Sequence, residues 1–583
     1  MNPNDNVDDF DLELESGTLL PTLTISDATC IGDRRLLVGH NPTGASLTKL
    51  VCEDIPLNFK QRLVVEKTLS EALAWKNHPD GESKRQQFRL LVLGEAGVGK
   101  SWIIKGIKAG MDLVDRKKEV IVMAPTGLAS NKIGGSTYHT ALGVPIIRRK
   151  ERTTVPPRVR RLWAGKTIMF VDELGMIDLQ NFYLMNRHCN LAKSVDKDST
   201  ELWGGLPVVI FLGDFYQFPP VQGLPLWKQP SKNNNNEVYA HFLWRQFNQV
   251  VILDEQMRQS SDPAFREFLS RARVGAFTNE DLEFLNSKVI SSLDAPELDN
   301  ATVVAKRHIL RHQVIRIRME PFAKNRDQKI CIFPALHTRT KSNDPASRRL
   351  RVDELLELQD DGSKIPFPGL LFYTQNMPVV MLSNACTPLG QVNGATGTAV
   401  GVVIDPTGKY TFPHNIMTIA NTLPQADFFE IDDLYTMCTK PPACILFKPD
   451  DSRIPDSGFE GLDGSIMPIF PLKKSISWKG YSIRRQQIPM SPAFCLTQYR
   501  VQGLTLDQAI LDMKAEPRRT SHEKCTSNYV LAGRLRTAAD IHLLQKIDMS
   551  DLRFRPDPRL QTEMDRLQEL EKQTLTAWGY PTQ

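Results

Sequence analysis

The chain has 583 residues, 41% hydrophobic and 24% charged, which is the make-up of a globular protein and excludes a fibrous or wholly disordered one. Its 72 Lys and Arg against 67 Asp and Glu leave a formal charge of +5, too small over this length to establish a nucleic-acid partner from charge alone. No apolar stretch is long enough to cross a membrane, and the nine cysteines are scattered without a C-x-x-C pair or zinc spacing, which argues for reduced thiols in an intracellular protein.

That length allows roughly three or four domains. Residues 1–54 read as a disordered acidic leader, with Asp5, Asp8, Asp9, Asp11, Glu13 and Glu15 close together and few large apolar residues. This acidity argues against a mitochondrial transit peptide, and no secretory signal is evident. Residues 55–255 then alternate strand and helix signals. The apolar run Leu90-Leu91-Val92-Leu93 leads into Gly94-Glu95-Ala96-Gly97-Val98-Gly99-Lys100-Ser101, and Trp102-Ile103-Ile104-Lys105 follows with helical character. A strand that stops, a glycine-rich turn and a helix that starts are what a phosphate loop requires. Its backbone N–H groups curl around phosphate oxygens, Lys100 reaches the outer phosphates and Ser101 offers a hydroxyl to Mg²⁺. The pattern therefore predicts binding of ATP or GTP.

Further short apolar runs at 120–123, 167–171, 208–212 and 250–253 predict a parallel sheet covered on both faces. Polar motifs sit at the C-terminal ends of these runs, where open α/β sheets bind ligands. Asp172-Glu173 closes one run, a carboxylate to hold Mg²⁺ beside one to orient the attacking water. Gln217, in Gly213-Asp214-Phe215-Tyr216-Gln217-Phe218-Pro219-Pro220, is placed to sense the γ-phosphate. Residues 263–285 read as helical, and a second α/β region begins at Ala301–Ala305. Glycine- and proline-rich residues 366–483 read as a β-rich insertion with a turn at Asn393-Gly394. α/β texture resumes at 494–496 and 509–513, and 557–577 has helical spacing. Arg258 and Arg534 are candidate arginine fingers. Residues 148–161 hold Arg148, Arg149, Lys150, Arg152, Arg158, Arg160 and Arg161 against Glu151 alone, a patch able to engage several phosphates, and Tyr138, Phe215 and Tyr499 are candidates for stacking on bases.

Together these motifs resemble a PIF/RecD-type superfamily 1 DNA helicase, with the PIF branch the nearer. The carriers are the phosphate loop, Ala124-Pro125-Thr126-Gly127, Ile133-Gly134-Gly135-Ser136-Thr137-Tyr138-His139, Asp172-Glu173-Leu174-Gly175-Met176, and above all Trp203-Gly204-Gly205-Leu206-Pro207 leading into Gly213–Val221. Three departures are visible. Gln498-Tyr499-Arg500-Val501 stands where the family has Ile-His-Lys-Ser, Gly533 replaces a serine before Arg534, and Leu174-Gly175 replaces Ile-Ser. The resemblance implies two RecA-like domains, 55–255 and 256–365 with 484–583, and an SH3-like insertion at 366–483. It also implies that ATP and Mg²⁺ are bound between those domains, with Gln61 reading adenine. Residues 94–101 would cradle phosphate, Ser101 and Asp172 would hold the metal, and Lys100, Asp172, Glu173, Gln217, Arg258 and Arg534 would carry catalysis. Thr126, Gly127, Thr137, His139, Asn384, Asn393, Thr497 and Tyr499 would line a track for single-stranded DNA. The implied activity is 5′→3′ translocation and unwinding of duplexes with a single-stranded overhang, by a monomer, in the nucleus, for repair, recombination or telomere maintenance. A strand translocase that does not unwind DNA, an RNA-directed motor, and a nucleic-acid-binding relic without turnover remain open at this stage.

Overall fold

A computed structural model of the chain describes Val38 and residues 41–76, 86–145, 153–194, 201–293, 295–339, 352–361, 364–384, 391–404, 428–438, 440–450, 458–459, 461–462, 464–479 and 481–580. The acidic run at 5–15 and the basic residues 148–152 lie outside these, while Arg158, Arg160 and Arg161 are exposed on a short helix. No helix of the described residues is long and apolar enough to cross a membrane.

The first body is a six-stranded, all-parallel sheet. Its strands are β1 (Phe88–Gly94), β2 (Val120–Ala124), β3 (Ser136–Thr137), β4 (Ile168–Val171), β5 (Val208–Gly213) and β6 (Gln249–Leu253), in the order β3-β2-β4-β5-β1-β6. Because β2, β4 and β5 are buried along their whole length, they carry no polar alternation. One face is covered by α1 (Gly44–Cys52), α2 (Phe59–Lys76) and α3 (Lys100–Leu113), around Leu47, Val65, Leu69 and Ile107. Two short helices, α4 (Gly127–Lys132) and α5 (Tyr138–Leu142), follow β2 and β3. The other face is covered by α6 (Pro157–Trp163), α7 (Leu179–Ala192) and α8 (Asn235–Arg245), around Trp163, Phe182, Trp203 and Trp244.

After β6 come α9 (Pro263–Arg273) and α10 (Asn279–Ser287), which pack into the core of the second body. The stretch 263–285 that reads as helical thus holds two helices. Gly275 turns with φ 66°, and Thr278 starts the next helix through a reciprocal capping box with Asp281. The second sheet starts with β7 (Thr302–Ala305), followed by α11 (His308–Lys324). A β-rich region then holds β8 (Ile330–Pro334), β9 (Leu336–Arg339), a helix α12 (Val352–Glu357), β10 (Leu370–Tyr373), β11 (Met377–Met381), β12 (Thr396–Val403), β13 (Phe428–Glu430), β14 (Tyr435–Cys438), β15 (Cys444–Pro449), β16 (Met467–Ile469), β17 (Leu472–Trp478), β18 (Tyr481–Gln487) and β19 (Met490–Pro492). These form three sheets, β10-β8-β14-β13, β16-β15-β12-β11-β19 and β17-β18-β9. The chain then returns with β20 (Cys495–Thr497), β21 (Ala509–Leu511), α13 (Ser521–Ala532) and β22 (Ile541–Leu543), completing a parallel sheet β20-β7-β21-β22. Two parallel α/β bodies with a β-rich insertion match the fold class read from sequence.

Three boundaries differ from that reading. α1 lies inside the supposed leader; Thr43 and Ser46 form a capping box, and Leu47 and Val51 are buried against α2 and α3. The β-rich region begins at β8 rather than at 366, because β8 pairs with β10 and β14, and β9 with β18. Finally, α14 (Pro558–Ala577), assigned from sequence to the second body, packs on the first. Its Leu560, Met564 and Leu567 join the core beneath Trp244, and Glu571 and Thr574 accept hydrogen bonds from the β6 amides of Ile252 and Val250 at 2.7 and 3.0 Å.

Candidate nucleotide cleft and strand-binding surface

β1, β4 and β5 deliver their C-terminal ends to one side of the first sheet, where they meet loops of the second body. Gly97 and Gly99 take φ of 95° and 79°, the left-handed region that glycine occupies without strain. Space is as restrictive as torsion. A Cβ at Gly97 would sit 2.7 Å from Arg258 Cβ, and one at Gly99 would sit 2.4 Å from Gln61 Nε2. Lys100 Nζ donates to the carbonyls of Gly94 and Glu95, each at 2.8 Å, and Ser101 opens α3 exposed to solvent. Burial lowers the Lys100 pKa, against the pull of Asp214, Glu173 and Asp172, so all three carboxylates face this amine.

Asp172 is buried, and burial together with the neighbouring Glu173 charge pushes its pKa up to about 7. Glu173 sits at φ 54°, ψ 44°, a left-handed conformation costing a non-glycine residue roughly 1–3 kcal/mol. The strain turns its carboxylate toward the second body, where Gln502 Nε2 donates to Glu173 Oε2 at 3.4 Å. From β5, the buried Gln217 donates to Asp214 Oδ2 at 3.4 Å, and its own Oε1 is buried with no hydrogen-bond partner.

Arg534 follows α13 at 1% exposure. Its Nε donates to Val530 O at 2.9 Å, Nη2 is buried without a partner, and the carboxylates of Glu173 and Asp214 favour its charge against burial. Arg258 lies beside it, donating to Gly533 O at 2.7 Å; burial and then the Arg534 charge lower its pKa to about 10. Its segment also touches the phosphate loop. The amides of Met257 and Arg258 donate to Gly97 O at 3.1 and 3.3 Å, and Gln256 Nε2 reaches Glu95 Oε2 at 3.0 Å.

All six residues expected to carry catalysis therefore converge on one cleft. The donor set suits a nucleotide polyphosphate, with a lysine amine in a loop whose turns only glycine occupies without strain, and the orphaned buried Nη2 of Arg534 on the other wall. It also suits Mg²⁺, for which a hydroxyl and one carboxylate suffice when phosphate and water supply the remaining ligands. Among the described residues no group of three His, Cys, Asp or Glu could hold a metal alone. Gln61 stands apart from its expected role. Nε2 is engaged by Val98 O at 2.9 Å and Oε1 accepts from Asn58 N at 3.0 Å, so in this arrangement the side chain braces the phosphate loop.

The expected strand-track residues form two groups. Thr126 caps α4, and a Cβ at Gly127 would meet Val392 Cβ at 3.1 Å and Asn384 Oδ1 at 3.3 Å; that same Asn384 oxygen accepts from Asn393 N at 2.8 Å. Thr137, pairing with Ala124 across β2 and β3, caps α5, and His139 Nδ1 lies 3.2 Å from Val144 O. Beside Asn384 and Asn393 is a cavity of about 350 Å³ that Lys364, Ser383, Lys474 and Ser475 also line. The second group is at the end of β20, where Thr497 is buried and Tyr499 lies half-exposed against Phe218 with ring centroids 4.6 Å apart. Lys132 ties the groups together, Nζ donating to Gly503 O at 2.6 Å. Tyr138 and Phe215 are core residues, at 3% and 4% exposure, and do not offer stacking faces.

Sequence reasoning missed Asp214, Arg273 and Tyr529. Asp214 Oδ1 accepts from Arg273 Nη2 at 3.1 Å and Oδ2 from Tyr529 at 3.2 Å, while Arg273 Nη1 reaches Glu95 Oε1 at 3.1 Å. Asp214 had a signal, standing within a quoted motif, whereas Arg273 looked like any basic residue on a polar helix.

Residues 74–281 match the family model described as PIF1-like helicase. Among curated proteins, the chain is 26% identical over 314 residues to "ATP-dependent DNA helicase PIF1" of Saccharomyces cerevisiae, covering 53% of this chain and 33% of that protein. It is 24% identical over 449 residues to "ATP-dependent DNA helicase PIF7" of Trypanosoma brucei brucei, covering 73% and 41%, and 23% identical over 424 residues to "ATP-dependent DNA helicase PIF1" of Danio rerio, covering 71% and 53%. The chain thus spans about a third to a half of the length of these relatives. Among solved structures, the Pif1 helicase from Candida albicans matches with a TM-score of 0.59 at 20% identity, covering 88% of this chain and 99% of that one. Pif1 from Bacteroides in complex with ADP-AlF3 and ssDNA matches at 0.55 and 18%, covering 83% and 94%. Both place the two α/β bodies in the same fold.

Proposed function

We propose that this chain is an ATP-dependent DNA helicase of the PIF type, which moves 5′→3′ along single-stranded DNA and separates the duplex ahead. The observation that carries this reading is Arg534, a fully buried guanidinium of the second body with an unpartnered Nη2 beside Glu173 of the first. A cation kept dry in this way, across a cleft from a phosphate loop, is suited to charge that develops there only during phosphoryl transfer.

Lys100 and the amides of 95–101 hold the nucleotide, and Glu173, aimed by its strained backbone, orients a water molecule and receives its proton. Gln217 reports on the outermost phosphate, and Arg258 and Arg534 approach from the other wall. Bound Mg²⁺, held by Ser101 and Asp172, would neutralise phosphate charge. Closing the cleft draws the end of β20 toward α4, with Lys132 and Gly503 in contact, and so moves one strand-binding group against the other. The relatives named as DNA helicases favour DNA as the track, and genome maintenance in the nucleus is proposed from the family resemblance alone.

The test is steady-state ATP hydrolysis with and without a single-stranded DNA oligonucleotide, beside strand separation on DNA and RNA duplexes with matched 5′ and 3′ overhangs. Stimulation by DNA together with unwinding of only the 5′-tailed DNA duplex is expected. Hydrolysis without unwinding would make the chain a translocase, a preference for RNA would change its track, and no hydrolysis at all would leave a binding protein.

A further inference from the structure

We propose that Arg273 is a positioning residue that couples the nucleotide cleft to the strand track, a latch carried by α9 of the second body and closed on two acids of the first. This inference rests on the motor reading above and names a component of it. Arg273 is on the helix that packs with α13 in the second body, yet its guanidinium spans the cleft. Nη1 pairs with Glu95 in the phosphate loop and Nη2 with Asp214 after β5, both at 3.1 Å, and the guanidinium lies 4.2 Å from the centre of the Tyr216 ring. The planar fork of arginine presents two separate nitrogens in fixed geometry, one to each carboxylate, whereas a lysine would have to serve both from a single nitrogen.

What makes the junction more than a brace is that Asp214 is shared. Its carboxylate, at 0% exposure, accepts from Arg273 and from Tyr529 of α13, and also from Gln217, the residue assigned to sense phosphate. Tyr529 in turn accepts from the Ala96 amide of the phosphate loop at 3.4 Å. If Gln217 turns its amide toward phosphate, it must give up its 3.4 Å bond to Asp214, and the side chains that still hold the carboxylate, Arg273 and Tyr529, both belong to the second body, beside the Tyr216 amide at 3.1 Å. The same acid thus has one set of partners with phosphate engaged and another without. That is a two-arrangement element which both nucleotide and domain position bias. Asp214 is held ionised against its burial chiefly by Arg273, so the latch stays charged at neutral pH.

The test compares the ratio of DNA-stimulated to basal ATP turnover in the wild-type chain, Arg273→Ala, Arg273→Lys and Tyr529→Phe, using oligo(dT) as the strand and a fluorescent ATP analogue to follow nucleotide affinity. A coupling role lowers the ratio about tenfold in Arg273→Ala, within the usual 5- to 150-fold span of allosteric coupling, with Arg273→Lys recovering only part. Tyr529→Phe keeps the ring in the core and loses only the hydroxyl, so it serves if the alanine variant fails to fold; its ratio falls in the same direction. An unchanged ratio would overturn the proposal, whether both rates fall together, as for a structural brace, or neither does. A wild-type chain that DNA does not stimulate would instead overturn the motor reading, and the latch with it.

Discussion

The two walls of the cleft are built in different ways. The first presents Lys100, Asp172, Glu173 and Gln217 from the ends of β1, β4 and β5, strands aligned by continuous parallel pairing. The second presents Arg258, Arg273, Gln502 and Arg534 from a connecting segment, a helix end and two loops, and the β-rich region is inserted along the chain between β7 and β20, which pair directly in the sheet. The first wall is therefore rigid by virtue of its sheet. The second depends on loops and a helix end, with Gln502 and Arg273 held by Glu173 and Asp214 of the first wall, and Arg258 and Arg534 held by the Gly533 and Val530 carbonyls of the second body. Under the proposed function, the first wall would bind nucleotide and the second would determine whether binding leads to turnover.

The sharpest way to break this comparison is to remove one cation from each wall. Arg534→Ala is expected to lower ATP turnover by about 10³-fold or more while nucleotide affinity stays within a few-fold, since the guanidinium acts on charge that appears only in the transition state. Lys100→Ala should lose turnover and nucleotide affinity together. Measured kcat beside a nucleotide dissociation constant separates the two; an Arg534→Ala chain that turns over normally would remove the second wall from catalysis. Glu173→Gln should follow, with a loss of about 10²–10⁴-fold, the usual contribution of a general base. Retained turnover there would assign the water to another group.

The same contrast explains what could be read from the chain alone. Each first-wall motif is contiguous and ends a β-rich apolar run, so Lys100, Asp172, Glu173 and Gln217 were legible together with their strands. The second wall has no such frame. Arg258 and Arg534 stood out only as candidates, which the resemblance and not their spacing assigned to the cleft, and Arg273 was missed because helical periodicity says which face is buried but not which acid waits across a cleft. Likewise α14 was placed with its sequence neighbours, since nothing local says that an amphipathic helix covers an edge strand over 300 residues upstream. Tyr138 and Phe215 show the converse, aromatics near motifs that the core had already claimed.

The second body should also have a stability weakness that the first lacks. Arg311 at 0% exposure pairs with Asp360 at 2.8 Å and also reaches Ser491, tying α11 to the strand before β20 through a charge buried among loops. Asp360→Asn leaves Arg311 without its counter-charge and should lose about 3–5 kcal/mol of unfolding free energy. Arg311, and after it Arg500, hold the Asp360 carboxyl below its usual range against burial. A depressed native pKa contributes stability above the unfolded carboxylate value, about 3.9, and that stability disappears as pH falls through the native value. Denaturant midpoints between pH 7 and 3 should therefore decline less in Asp360→Asn than in the wild type; parallel declines would show that the pair contributes nothing to acid sensitivity.

The smallest expected effect concerns the way the chain joins the walls a second time. β6 is the edge of the first sheet, and its outward amides at Val250 and Ile252 would otherwise lack sheet partners. α14 supplies them through Thr574 and Glu571, and Glu571 also pairs with Lys60 of α2 at 3.0 Å. A helix that caps an edge also blocks pairing with another chain. Glu571→Gln keeps an oxygen for the Ile252 amide but loses the ion pair, so about 1 kcal/mol is at stake for this largely buried carboxylate. Glu571→Ala leaves the amide unpaired and should lose about 1–3 kcal/mol. If the strap is only structural, both variants lower the unfolding midpoint in that order with DNA-stimulated turnover unchanged. Should turnover fall while the midpoint holds, α14 governs how far the second wall can swing from the first.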